Sequence, residues 1–359
     1  MLSVFKRTIT GLLATALACG MAVSCGGLIY DDEGDCSIKV RFRYDMNMKF
    51  ADAFPHEVER VTLYVLDENG SIVWSKTDGG AALAAEDYSM EVDVPAGRYD
   101  LLAWCDSGDN GSFTVAKAAE KTGLKCSLNL KSDTDGSSYA DTDLDGLYHG
   151  FLSGADFTAG EGTVTVSLTK NTNYFNVVLQ HISGEPIDKE RFAFSIVADN
   201  AFMDWDNSLI LQGDAGDRLD LSSCVGRRVV DYRAWSVESG SAEVEKRVSS
   251  AAKASGSGSG LNVVVAELTT ARLVGGRNDI HQPRLIVRNI ATGDPVLSVP
   301  LIDFALLVKG KYNASMDDQE YLDRQDQYNM IFFLDDEDRW INSFIYINSW
   351  KVVLQDTDL

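Results

Sequence analysis

Asp141-Thr142-Asp143-Leu144-Asp145-Gly146 sets three carboxylates at alternate positions ahead of a glycine, the spacing with which a calcium loop opens. Such a loop closes on a bidentate Glu at its twelfth position, and here that position is Leu152, with no helical pattern on either side. The motif reads as a solvated acidic loop, near Asp133 and Asp135, and no metal is expected. His56, His149, His181 and His281 are scattered, with no pair at metal-ligand spacing. No nucleophile elbow, phosphate loop or dinucleotide fingerprint occurs. A glycosidase-type carboxylate pair cannot be singled out among 54 Asp and Glu residues. Asp335, Asp336, Glu337 and Asp338 read as a hairpin loop between strong strands. Trp74, Trp104, Trp205, Trp235, Trp340 and Trp350 could line a sugar site, but most stand in strand contexts where core is expected. The chain is read as no enzyme, and no cofactor is implied.

The chemistry that the sequence does place is at Cys25. Lys6 and Arg7 precede an uncharged apolar run, residues 9–23, and small residues close it, which is the make-up of an export signal. A transmembrane helix needs about 20 apolar residues, more than this run has. Ala22-Val23-Ser24-Cys25 resembles a bacterial lipobox, in which the cysteine is lipidated and becomes the mature N-terminus. Cys19 lies too deep in the run to compete, and Gly26-Gly27 after Cys25 reads as a tether. Residues 1–24 are therefore the expected lipoprotein signal peptide. Each acyl CH₂ buried in a bilayer contributes about 0.8 kcal/mol, so several chains on one sulfur hold firmly. Tyr30 and the acids Asp31, Asp32, Glu33 and Asp35 follow. Asp31, Asp32 and Glu33 are similar to the acidic signal that sends lipoproteins of the Bacteroidetes to the outside of the outer membrane. A solvated linker has the same composition.

These features need a scaffold. The length of 359 residues suggests two domains, and 45% hydrophobic residues can fill a core. The formal net charge is −22; residues 1–24 hold Lys6, Arg7 and no acid, so the chain from Cys25 carries −24. That balance excludes nucleic acid and anionic lipid surfaces as partners and favours solubility. With Cys19 in the signal and Cys25 lipidated, Cys36, Cys105, Cys126 and Cys224 remain, an even number in an oxidising compartment. They allow three pairings, and buried free thiols are the alternative.

Period two dominates the chain, as half-buried strands require. In "CSIKVRFRY" Ile38, Val40, Phe42 and Tyr44 share one face. "VTLYVLDENGSIVW" is two strands about a turn at 67–70, and "TVTVSLT" alternates Val164, Val166 and Leu168 inward. The same grammar restarts in "NYFNVVLQH", "RFAFSIVA", "LNVVVAEL", "RLIVRNI", "NMIFFL" and "SFIYINSWKVVL". Only "FADAFPHEV" and "PLIDFALLVK" suggest short helices. "KASGSGSGLN" (253–262) reads as a polar loop between strands. The expected fold class is all-β: an acidic tether at 25–35, an N-terminal β-sandwich at 36–170 and a C-terminal β-sandwich at 171–359.

Five stretches together resemble the FimB-type fimbrial anchor family of the Bacteroidales, the accessory subunits of FimA-like fimbriae. They are the lipobox with "IYDDEGDC", then "VRFRYDMNMKFADAFPHEVERVTLYVLDENGSIV", "AGRYDLLAWCD", "TKNTNYFNVVLQHISG" and the C-terminal "YLDRQDQYNMIFFLDDEDRWINSFIYINSW". The resemblance implies two tandem transthyretin-like β-sandwiches on a surface-exposed lipoprotein of the outer membrane. It also implies a place at the base of a fimbrium, with shaft subunits as partners joined by strand exchange, in which backbone pairing supplies affinity. Residues 344–354 are the candidate partner strand, with Phe344, Tyr346, Trp350, Val352 and Leu354 expected on one face; a core strand reads the same. A glycan-binding surface lipoprotein and a fimbrial tip adhesin are the rival readings.

Overall fold

The computed structural model describes residues 38–108, 111–159, 162–211, 229–240, 262–277, 282–310 and 313–354. The alternation read from the sequence decides the first sandwich. In β1 (Ile38–Arg43) the side chains of Ile38, Val40 and Phe42 are buried while Arg41 and Arg43 are exposed. β1 pairs antiparallel with β4 (Met90–Val92) and parallel with β11 (Gly162–Ser167). Facing this sheet is a five-stranded one, ordered β12 (Thr169–Lys170), β10 (Leu147–Asp156), β5 (Arg98–Asp106), β2 (Arg60–Leu66) and β3 (Ile72–Gly79). Val40, Phe42, Val61, Leu63, Leu101, Ala103 and Val166 fill the space between them, each large side chain contributing about 2 kcal/mol by leaving water.

β5 also works on its other face, because successive side chains in a strand point to opposite sides. Leu101, Ala103 and Cys105 enter the sandwich, whereas Leu102 and Trp104 enter a second cluster with Leu66, Leu124, Cys126 and Met203. A small sheet bears the last of these residues: β15 (Phe202–Met203), β7 (Cys126–Leu128) and β6 (Phe113–Val115).

The second sandwich is built from two six-stranded sheets. One is ordered β17 (Ser236–Ser239), β18 (Val263–Ala271), β13 (Thr172–His181), β21 (Gln327–Leu334), β22 (Phe344–Ile347), β23 (Trp350–Val353). The other is ordered β20 (Pro295–Pro300), β19 (Arg284–Asn289), β14 (Phe192–Ala198), β16 (Val230–Arg233), β9 (Ser138–Ala140), β8 (Lys131–Ser132). Phe175, Leu179, Phe194, Ile196, Leu268, Tyr328 and Phe332 lie in its core. The all-β fold of sandwiches expected from the periodicity is what forms.

The chain steps from β12 to β13 at Lys170-Asn171-Thr172. Strand pairing nevertheless crosses that step in both directions. β9, from the first half, pairs parallel with β16, and β15, from the second half, pairs antiparallel with β7. Periodicity cannot foresee such exchanges, since it reports a strand's faces and not its neighbours.

Among the described residues three α-helices interrupt the strands: α1 (Phe54–Glu57), α2 (Leu301–Leu306) and α3 (Asp318–Arg324). The first two occupy the expected segments. α3 is an addition: Asp317 caps it by accepting the Glu320 N–H at 2.7 Å, the Asp-x-x-Glu pattern of a helix start. No helix among the described residues is long and apolar enough to cross a membrane.

Candidate functional site

Lys170 stands where the two sandwiches meet. Its Nζ lies 2.8 Å from Asp326 Oδ2 and 3.1 Å from Glu57 Oε2, and the Tyr148 hydroxyl donates to the same Glu57 oxygen at 3.0 Å. Burial alone would lower the Lys170 pKa, but the facing carboxylates outweigh it and hold the ammonium above its ordinary range. Beside it Asn171 and Asn207 exchange amide hydrogen bonds of 2.6 and 3.1 Å. The last turn of α3 reaches back as well: Arg324 donates to the Asp45 carbonyl at 2.9 Å and stacks on Phe50, 4.5 Å from its ring centroid. A polar cleft of about 350 Å³ opens at this joint, with Glu57, Asp143, Lys170 and Asp326 on its walls. Lys170 is spent on Glu57 and Asp326, which fastens the sandwiches together.

The carboxylates of the acidic loop part company. Asp141 takes the Lys131 ammonium at 2.6 Å, Asp143 accepts from the Thr269 hydroxyl at 2.8 Å, and Asp145 accepts the Ser112 N–H at 3.1 Å. Asp133 is ion-paired with Arg233. No group of three or more metal-ligating side chains forms among the described residues.

His149 is buried edge-on against Trp104, ring centroids 4.6 Å apart, and its Nε2–H donates to the Trp205 carbonyl at 2.8 Å. Burial pushes its pKa down to about 4. His181 Nε2 donates to Asp338 Oδ1 at 2.9 Å, and Arg191 pairs with the same carboxylate. Asp338 is therefore a buried hub and not the solvated loop residue that its acidic neighbours suggest. Nothing local signals this, because its partners lie far off in sequence.

Cys25, Asp31, Asp32, Glu33, Cys36, Cys224 and His281 lie outside the described residues. Cys105 and Cys126 are buried free thiols, so the bridge suggested by the even count does not form through them. A bond between the two is barred by geometry, since they sit in clusters on opposite faces of the five-stranded sheet.

The candidate partner strand is also corrected. Residues 344–354 form two strands, β22 and β23, joined at Asn348-Ser349. Ile345 pairs with Val352 and Tyr346 with Lys351, so Val352 turns inward with Ile345 while Phe344 and Tyr346 lie on the outer face. Leu354 joins the core. The five residues are thus split between faces. β23 pairs with β22 alone among the described residues, which makes it the edge of its sheet. There Trp350 is 61% exposed, the one exposed tryptophan among the described residues, and Val353 is 67% exposed.

The family profile described as fimbrillin-A associated anchor proteins Mfa1 and Mfa2 matches residues 32–356. The chain belongs to that family. The minor fimbrium anchoring subunit Mfa2 of Porphyromonas gingivalis is 27% identical over 131 residues, 36% of this chain and 40% of that relative. The alignment thus spans less than half of the curated relative. Among solved structures, a candidate adhesin from Bacteroides thetaiotaomicron is 34% identical at a TM-score of 0.70, covering 89% of this chain and 97% of its own. A candidate polysaccharide-binding protein from the same organism is 26% identical at a TM-score of 0.71, covering 90% and 100%. The fimbrial anchor resemblance read from five stretches of sequence therefore extends over nearly the whole chain.

Proposed function

We propose that this chain is a surface-exposed outer-membrane lipoprotein, held by lipid on Cys25, that anchors the base of a fimbrium and ends its polymer through β-strand contact with shaft subunits. Within the anchor family, the observation that carries the contact is the open edge of β23. An edge strand offers unpaired N–H and C=O groups at the strand repeat, and an extended partner segment can add to it. A subunit fixed in the membrane cannot be passed by further growth at its own end, so the polymer stops there and stays attached.

Deleting the gene is expected to give fimbriae that are longer, shed into the medium, or both, as seen by electron microscopy. Unchanged length and attachment would overturn the reading. Cys25→Ala should release the protein from membranes and abolish its palmitate labelling, whereas labelling that persists would move the lipid to Cys19. Replacing Asp31, Asp32 and Glu33 by Ala should leave lipidation intact but hide the protein from external protease. Cleavage on whole cells that continues unchanged would make these acids a linker only.

The exposed Trp350, with a relative described as a polysaccharide-binding candidate, supports a second reading, glycan capture at the surface. Glycan-array binding lost in Trp350→Ala, with fimbriae unaffected by gene deletion, would favour it.

A further inference from the structure

A pocket of about 70 Å³ lies where the outer face of the five-stranded sheet meets the small sheet. Strand register builds its floor. Trp104 and Asp106 stand two residues apart on one face of β5, with Thr62 and Arg60 opposite them on β2 and Leu147 opposite Asp106 on β10. Phe113 and Val115 of β6 line it as well. Arg60 Nε donates to Asp106 Oδ2 at 2.8 Å. Ser112 donates its N–H to the Asp145 carboxylate at 3.1 Å and accepts the Asp145 N–H on its hydroxyl at 3.0 Å. These lining groups are set before anything enters, which lowers the cost of binding.

Two polar atoms of the floor lack a partner. The indole Nε1–H of Trp104, a residue only 3% exposed, finds no acceptor among the described residues, and Asp106 Oδ1 finds no donor. Buried polar groups are almost always paired. An indole only donates and an ionised carboxylate only accepts, so the matching group must accept at one point and donate at another close by. A lone hydroxyl, about the size of a water, would leave roughly half of the space empty. An amide carries its C=O and N–H on adjoining atoms and answers both. The apolar side chains of Leu147, Phe113 and Val115 then call for a methyl beyond the carbonyl. An N-acetyl group has one at its tip, whereas the amide of Asn or Gln ends in polar atoms.

We propose that this pocket receives the acetamido group of an N-acetylated hexosamine. Its carbonyl accepts from Trp104 Nε1, its N–H donates to Asp106 Oδ1, and its methyl rests against Leu147, Phe113 and Val115. The sugar ring is too large for the pocket and stays outside. The site goes beyond the anchor reading and does not involve Trp350.

Saturation-transfer NMR on the detergent-solubilised full-length protein tests it, with N-acetylglucosamine, glucose and glutamine as probes. N-acetylglucosamine should bind with its acetyl methyl the most strongly saturated group, and glucose should bind about tenfold more weakly or less. Trp104→Phe, which keeps a ring but no N–H, and Asp106→Ala should each weaken N-acetylglucosamine about tenfold, while Trp350→Ala leaves it unchanged. Should Trp104→Phe melt early, Asp106→Ala and the wild-type contrast between the two sugars decide. Equal binding of both sugars overturns the proposal, as does no binding of either, which leaves water in the pocket. Glutamine bound where N-acetylglucosamine is not would assign the amide to a protein partner and overturn it too. Sugar binding lost in Trp350→Ala alone would move the site to β23, against this pocket. Each of these results leaves the anchor reading to its own test, the attachment of fimbriae.

Discussion

Lys170 and Asp326 meet across the joint of the two sandwiches, Nζ to Oδ2 at 2.8 Å, with both side chains largely out of water. Lys170 comes from the last strand of the first sandwich, and Asp326 immediately precedes β21 in the second. Removing one partner of such a pair leaves a charge buried without compensation. Here Lys170→Met would leave Asp326 so, and Glu57, which is partly exposed, with the Tyr148 hydroxyl in place of an ammonium. The expected loss is roughly 3 kcal/mol in urea unfolding. Adding Glu57→Gln and Asp326→Asn to the same chain should recover part of it. A Lys170→Met protein as stable as wild type would remove the tie from the account of the joint.

His149 gives the protein a pH dependence of defined sign. Its folded pKa is about 4 against 6.5 for the free side chain, chiefly through burial. Between those values the unfolded chain binds a proton that the folded chain refuses. Stability from this group is therefore complete above about pH 6.5 and falls as pH drops toward 4, by on the order of 3 kcal/mol in all. His149→Gln should flatten that part of the profile of melting temperature against pH. An unaltered slope would assign it to other groups.

Cys105 and Cys126 should behave as inert core residues. Burial first, and then the Asp106 carboxylate, push the Cys126 thiol up to about 12, and the same two causes raise Cys105. Only the thiolate attacks alkylating agents. With iodoacetamide at pH 8, mass mapping should find both sites unmodified in folded protein and labelled after denaturation. Rapid labelling of either site without denaturant would contradict its burial.

What the sequence made legible was local. The alternation of Ile38, Val40, Phe42 and Tyr44 needed no partner to be read, and the turn at 67–70 is closed by the Gly70 N–H on the Asp67 carbonyl at 2.9 Å. α3 was equally legible in principle, through Asp317 and Glu320, but its seven residues are too few for a hydrophobic period to stand out. The exchanges of β9 and β15 and the buried hub at Asp338 depend on residues far away in sequence, where period and composition carry no signal. The terminal hairpin was hidden for a different reason. A turn without glycine left the alternation unbroken in appearance, while the reversal exchanged which residues face the core.

That turn supplies the last prediction. Asn348 and Ser349 both have left-handed backbone, φ 47° and 73°, as the two-residue hairpin joining β22 to β23 demands. Asparagine tolerates that region, but the serine Cβ crowds the following carbonyl at a cost of roughly 1 kcal/mol. Glycine escapes the clash. Ser349→Gly should therefore stabilise the protein by about 1 kcal/mol, or somewhat less after the extra freedom of the unfolded glycine is counted. Ser349→Val should destabilise it, since a β-branched residue suits that region least. Amide exchange across residues 344–353 localises the effect, slower with glycine and faster with valine while strands such as β13 stay unchanged. If exchange in the hairpin is indifferent to all three residues, the turn does not set the stability of this edge. The strain would then have to be relieved elsewhere in the loop.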